Sequence, residues 1–297
     1  MTTSKNLDLN IEIDMLTPGS AAEVVNAVLE FLLYQRNQIP FVYKTYKYYV
    51  AKWVEESSSN DKRREDREGG EYSDDDSLAS VPNFHLERQR ERATQTKQSI
   101  SAMHQLIYEA FEKNEIKCLR FLLGSTTYTP LEAYTIHIPT AAISRKHSHK
   151  HHPIQQSHLN QMLINLLTSE DLYNIFSKNI GPTNMFLELE MLENPHLDKT
   201  TTTAHIFPKD FRELPARCAN VHLNLVLSKP ITTCESASLQ CCQELHVYTD
   251  FITLSLADVF KENSEKLDSV TPAWWEAEIF VRGFKEKPIK SGNIWTI

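Results

Sequence analysis

An α+β fold, with helices concentrated early and strands late, is what this sequence predicts, on three observations. Apolar residues recur at helical spacing in separate stretches before about residue 178. Beyond that point the spacing changes to the period of two that marks half-buried strands. Helices and strands do not alternate one for one, which argues against a parallel sheet built from βαβ units.

The elements follow in order. Asn10 to Leu16 alternates Ile11, Ile13 and Met15 with Glu12 and Asp14, which predicts a strand. Pro18 and Gly19 break the chain, and Ser20 with Glu23 has capping-box spacing for a helix over 20–38. Val24, Val28, Phe31 and Leu32 form its apolar stripe, and Pro40 ends it. Continued at 100° per residue, the stripe places Gln35 near its middle, where an amide needs a buried partner or faces another protein. Residues 41–54 carry Tyr43, Tyr46 and Tyr49 at helical spacing. A long helix is predicted over 86–115, with Ile100, Met103, Ile107, Ala110 and Phe111 on one face. Short strands over Cys118–Leu123 and Tyr134–Ile138 follow. A third helix is predicted over 157–178, with Leu159, Met162, Leu163, Leu166 and Leu167 as its core face. Leu187–Met191, Val221–Leu227, Leu245–Phe251 and Ile279–Phe284 read as strands. Trp274–Trp275 should send one ring to the core and the other to the opposite face.

Two stretches predict disordered insertions within one domain of residues 8–290. The first, 56–83, is acidic and almost free of apolar residues, so burial cannot offset the entropy of ordering it. The second, 142–156, is rich in histidine; residues 287–297 form a C-terminal tail.

Composition narrows the function classes. The 297 residues are 41% hydrophobic, enough for a core, and no apolar run reaches the length of a membrane span. No signal-type segment opens the chain. Five scattered cysteines fit reduced thiols in cytosol or nucleus. Of the net charge of −8, Glu55 to Asp76 supplies −6, with ten acidic and four basic residues. The rest is nearly neutral, which argues against nucleic-acid binding and polybasic membrane docking.

No catalytic motif emerges. The seven glycines form no phosphate-binding loop, and neither GxSxG nor HExxH is present. His147, His149, His151 and His152 could bind zinc or copper, since imidazole suits both, but Arg145, Lys146 and Lys150 among them would repel a cation. No metal site or cofactor is therefore expected, and the chain is expected not to be an enzyme. Ser73, followed by Asp74-Asp75-Asp76, has the form that an acid-directed kinase prefers and is a candidate phosphosite.

Four colinear stretches carry a resemblance. These are Tyr34-Gln35-Arg36-Asn37-Gln38-Ile39-Pro40; Leu122-Leu123-Gly124 with Thr129-Pro130-Leu131-Glu132-Ala133-Tyr134; Pro208-Lys209 with Leu214-Pro215-Ala216-Arg217; and Trp275-Glu276-Ala277 with Val281-Arg282-Gly283-Phe284-Lys285-Glu286. Together they resemble the comet protein family, HORMA-like adaptors that silence the spindle checkpoint. The resemblance implies a HORMA-like α+β domain of three helices on a mixed, mostly antiparallel sheet. It implies a checkpoint-protein contact at Gln35, flanked by Tyr34 and Arg36. The matching third-helix contact falls on Leu163, where the family has phenylalanine, or on Ile164 one position later. It implies an ATPase contact at Pro208 and Lys209, in a loop before the central strands. The implied partners are the closed form of the spindle-checkpoint HORMA protein and a hexameric AAA+ remodelling ATPase. The implied location is nucleus and cytoplasm, with kinetochore and spindle in mitosis. Comet proteins hold their own C-terminal segment in the place where other HORMA proteins trap a peptide; where this chain's longer tail lies is left open. Two other classes remain: a peptide-gripping HORMA module of a chromosome-axis or repair complex, and a metal-dependent enzyme using the histidine tract.

Overall fold

The computed structural model describes residues 4–13, 15–65, 80–145, 152–192, 205–228, 272–288 and 293–295. Its strands are β1 (Lys5–Ile11), β2 (Glu115–Gly124), β3 (Pro130–His137), β4 (Asn184–Leu192), β5 (Ile206–Lys209), β6 (Ala219–Leu227), β7 (Pro272–Ala277) and β8 (Val281–Arg282). Its helices are α1 (Pro18–Gln35), α2 (Tyr43–Glu65), α3 (Ser80–Lys113), α4 (Gln156–Leu167) and α5 (Glu170–Phe176). The strands form one mixed sheet in the order β1-β6-β3-β2-β4-β7-β5, with β8 also paired to β4. β1–β6 and β3–β6 are parallel, and the other pairings are antiparallel.

The α+β expectation holds, and the count of helices does not: five α-helices stand among the described residues where three were expected. The predicted helix over 157–178 breaks after Leu167, because Ser169 is extended (φ −67°, ψ 124°) and starts α5 as its N-cap. The aromatic segment 41–54 is the start of α2, which runs to Glu65. The expected insertion over 56–83 is therefore helical at both ends; residues 66–79 lie outside the described residues. So do 146–151 of the histidine-rich stretch, the Leu245–Phe251 strand and Ser73.

β1 lies earlier than predicted. Leu7 and Leu9 extend the alternation of Ile11 backwards, and parallel pairing of Lys5–Ile11 with Val221–Leu227 selects that register. The start of α1 also differs. Thr17 caps it, with Ser20 N–H donating to Thr17 Oγ1 (3.2 Å) and Thr17 N–H donating to Ser20 Oγ (2.7 Å). Pro18 then occupies the first turn, where its missing N–H costs nothing.

α1 is buried over a much wider arc than its stripe suggested. Val25, Leu29 and Leu33 are as inaccessible as Val24 and Val28. The buried face is thus centred about 80° away from the expected one, at 100° per residue, and Gln35 moves from the seam to the rim. Trp275 packs against the core while Trp274 lies on the other side of the sheet under Arg120, 4.3 Å from its guanidinium carbon.

The C-terminal tail returns to the fold. Ile294 and Trp295 are buried, and the indole sits in an aromatic box of Phe41, Tyr46, Tyr49, Trp53 and Phe284, with ring centroids 4.9 to 6.0 Å away. Trp295 Nε1–H donates to Glu286 Oε2 (2.9 Å), and Arg90 Nε–H reaches Ile294 O (3.4 Å). No helix among the described residues is long and apolar enough to cross a membrane.

Candidate interaction face and the knot beneath it

The Tyr34–Pro40 stretch divides into residues that hold the fold and residues that face out. Arg36 is 1% exposed. Its Nε–H and Nη2–H donate to the two oxygens of Glu132 on β3 (2.9 and 2.6 Å). Its Nη1–H also donates to Phe176 O (3.1 Å) at the end of α5, and its Nη2–H to Lys178 O (2.7 Å) just beyond. The Tyr134 hydroxyl also donates to Glu132 (2.8 Å), and burial with that neighbouring charge drives the phenol pKa well above its ordinary value. A bidentate pair reinforced by further hydrogen bonds, two from Arg36 to carbonyls and one to Glu132 from Tyr134, is the form in which burying two charges is tolerated.

Asn37 takes a left-handed turn (φ 54°), a conformation that asparagine accepts at modest cost. That turn lets Gln38 fold back into the core, where its amide donates to Arg36 O (2.6 Å) and Gly181 O (2.9 Å). Its Oε1 accepts from Thr183 N–H (2.7 Å), and its backbone carbonyl accepts from Phe284 N–H (2.7 Å). Gly283 packs against this amide so closely that any Cβ there would collide with Gln38 and lie 2.8 Å from Thr183 O. Three of the four colinear stretches therefore meet at one knot: Arg36 and Gln38, Glu132 with Tyr134, and Gly283 with Phe284.

Arg36 is thus withdrawn from the expected surface contact, because its guanidinium is consumed inside. Tyr34 (39% exposed) and half-buried Gln35 remain outside, and neither side chain has a hydrogen-bond partner among the described residues. α1 packs against α4, whose apolar residues are divided in turn. Leu159, Met162 and Leu166 are buried and Leu163 is half-buried, while Ile164 (51%) and Leu167 (50%) are exposed. On a wheel of 3.6 residues per turn, Leu163, Leu167 and Ile164 step about 40°, 80° and 140° away from Leu159. Leu167, expected in the core, faces outward; the arc of apolar residues on this helix is wider than one seam can bury. Tyr173 of α5 is also exposed, a contribution that no spacing signal marked.

Pro208 and Lys209 lie on strand β5 rather than in a loop, paired with Trp275 and Trp274 of β7. Pro208 is exposed. The Lys209 ammonium turns inward between Glu188 and Glu276, 2.7 Å from Glu276 Oε2. Partial burial alone would lower its pKa; the hydrogen bonds and charges of the two carboxylates outweigh this and raise it. Arg120 completes the cluster, with Nε–H donating to Thr135 Oγ1 (3.2 Å) and Nη1 3.6 Å from Glu188 Oε2.

Cys118 and Cys218 are buried, and burial raises both thiols, Cys218 to about 11. No group of three or more His, Cys, Asp or Glu side chains among the described residues could hold a metal ion. No protein-family model matches this chain, and no curated protein matches it.

Proposed function

We propose that the protein is a non-catalytic adaptor with a HORMA-like domain. In this reading it binds the closed conformer of the spindle-checkpoint HORMA protein and presents it to a hexameric AAA+ ATPase. Checkpoint silencing and mitotic exit would follow in nucleus and cytoplasm, and at kinetochore and spindle. The observations that support it are that Tyr34 and Gln35 lie outward at the end of α1, that α1 packs against α4, and that α4 carries half-buried Leu163 with exposed Ile164 and Leu167. An amide with no hydrogen-bond partner among the described residues, on a helix packed against one that exposes aliphatic side chains, suits a protein partner that supplies both hydrogen bonds and apolar area. The adaptor contributes binding and orientation, and ATP hydrolysis belongs to the partner. For the ATPase contact, exposed Phe207 and Pro208 are accessible as they stand, whereas Lys209 would first have to leave Glu188 and Glu276.

Calorimetric titration into the checkpoint protein, locked either closed or open, tests this directly. Binding to the closed form alone is expected, weakened about tenfold or more by Gln35→Ala and by Ile164→Glu, each about 1.4 kcal/mol or more. Binding to neither form, or binding that both variants leave intact, would sink the proposal.

A further inference from the structure

A groove of about 730 Å³ runs between α3 and the segment 283–288 that follows β8. Arg92, Arg282, Lys285 and Lys287 line it, all exposed. None of the four has a carboxylate partner among the described residues. The groove also holds two carboxylates, Glu278 beside His205 Nδ1 (2.7 Å) and Glu286 accepting from the Trp295 indole (2.9 Å), so its cations outnumber its acids four to two. Ile279, Phe280 and Phe284 supply an apolar floor. Four cations without carboxylate partners along an apolar floor suit an acidic peptide.

We propose that this groove holds the chain's own segment Glu68–Asp76, and that phosphorylation of Ser73 tightens the hold. That segment carries Glu68, Glu71, Asp74, Asp75 and Asp76 with no basic residue. It is tethered to the groove wall, because α3 begins at Ser80. Gln89 of α3 clasps the Lys287 backbone from both sides, with Lys287 N–H donating to its Oε1 (2.8 Å) and its Nε2–H donating to Lys287 O (3.0 Å). Gln89 is nine residues past Ser80, about 13.5 Å at the helical rise. Asp76 can reach about 14 Å from Ser80, and Asp74 and Glu71 about 20 and 30 Å, at extended spacing. The tether is therefore long enough for the acids to reach Lys287 without moving any described element. Such a short tether gives an effective concentration in the millimolar range, enough for a modest intrinsic affinity to keep the groove filled. A phosphate on Ser73 adds about two negative charges and three strong acceptors for the lysines and arginines.

The test uses the full chain in two forms, wild type and a variant with Glu68→Gln, Glu71→Gln, Asp74→Asn, Asp75→Asn and Asp76→Asn. A fluorescein-labelled peptide of residues 68–79, plain or phosphorylated at Ser73, is titrated against each and followed by anisotropy, with circular dichroism confirming the fold. The neutralised variant is expected to bind the peptide about tenfold more tightly than wild type, where the tethered segment competes. Adding Lys285→Glu and Lys287→Glu should abolish binding, and phosphorylation should strengthen it about threefold or more. Equal binding to wild type and neutralised variant would show an open groove and overturn self-occupancy. Absence of binding to the neutralised variant would overturn the groove as an acidic-peptide site.

Discussion

Arg36 and Gln35 are neighbours in sequence with opposite fates, and the difference is measurable. Removing one partner of the Arg36–Glu132 pair leaves a buried charge without compensation, so Arg36→Ala or Glu132→Ala should cost about 3–5 kcal/mol in urea denaturation. Gln35→Ala, at the rim and without a partner, should change stability by less than about 0.5 kcal/mol. His104 and Glu30 provide a pH signature. They approach to 3.6 Å, too far for a hydrogen bond. Burial, assisted by the Lys47 charge, lowers His104 to about 4; burial raises Glu30 to about 7 against the same lysine. Between those values both groups are neutral, so the contact is no ion pair there. The native state disfavours a charged His104, so its contribution is present above about 6.5 and is lost as pH falls towards 4, about 3 kcal/mol in all. Glu30 runs the other way: its contribution is present below about 4.5 and is lost as pH rises to 7, reduced by solvent because the side chain is 38% exposed. The two slopes oppose each other. Glu30→Gln should therefore expose a steeper loss of stability between pH 6.5 and 4 than wild type shows. An unchanged profile would refute the pairing.

At the scale of elements, most helices and strands were legible from periodicity, and the misplaced details share a cause. The α1 stripe was read from four residues, but the helix is enclosed on both flanks, so the centre of burial moved and carried Gln35 to the edge. In α4 the apolar arc exceeded the seam, so Leu167 came out. Neither rotation is visible to a spacing rule, which reports that a face exists and not how many neighbours press on it. The β2–β3 turn was legible as strand, turn and strand, and its glycine has a local reason. A Cβ at Gly124 would sit 2.8 Å from both Pro130 Cα and Thr129 O, backbone atoms that cannot step aside. Gly124→Ala should lose about 1–3 kcal/mol, read from the denaturation midpoint.

For the whole molecule, the sheet joins β1 to β6 and β4 to β7 across long stretches of chain, and the tail packs Trp295 against α2. A buried indole in a full aromatic box predicts that Trp295→Ala will cost about 3 kcal/mol or more, while Trp295→Phe will cost less than half of that. Thermal denaturation of the two variants, compared with wild type, checks the ordering.

What the sequence determined by itself was the α+β class, most of the elements, the two-sided Trp274–Trp275 pair and the absence of a recognisable catalytic motif. All of these rest on local periodicity or residue chemistry. Only the tertiary structure decided that Arg36 and Gln38 are a buried knot, that Lys209 is spent on Glu188 and Glu276, and that Tyr34, Gln35 and Ile164 are left outside. The first two outcomes depend on partners as far along the chain as Phe284 is from Gln38, and one-dimensional spacing carries no record of which distant groups burial brings together.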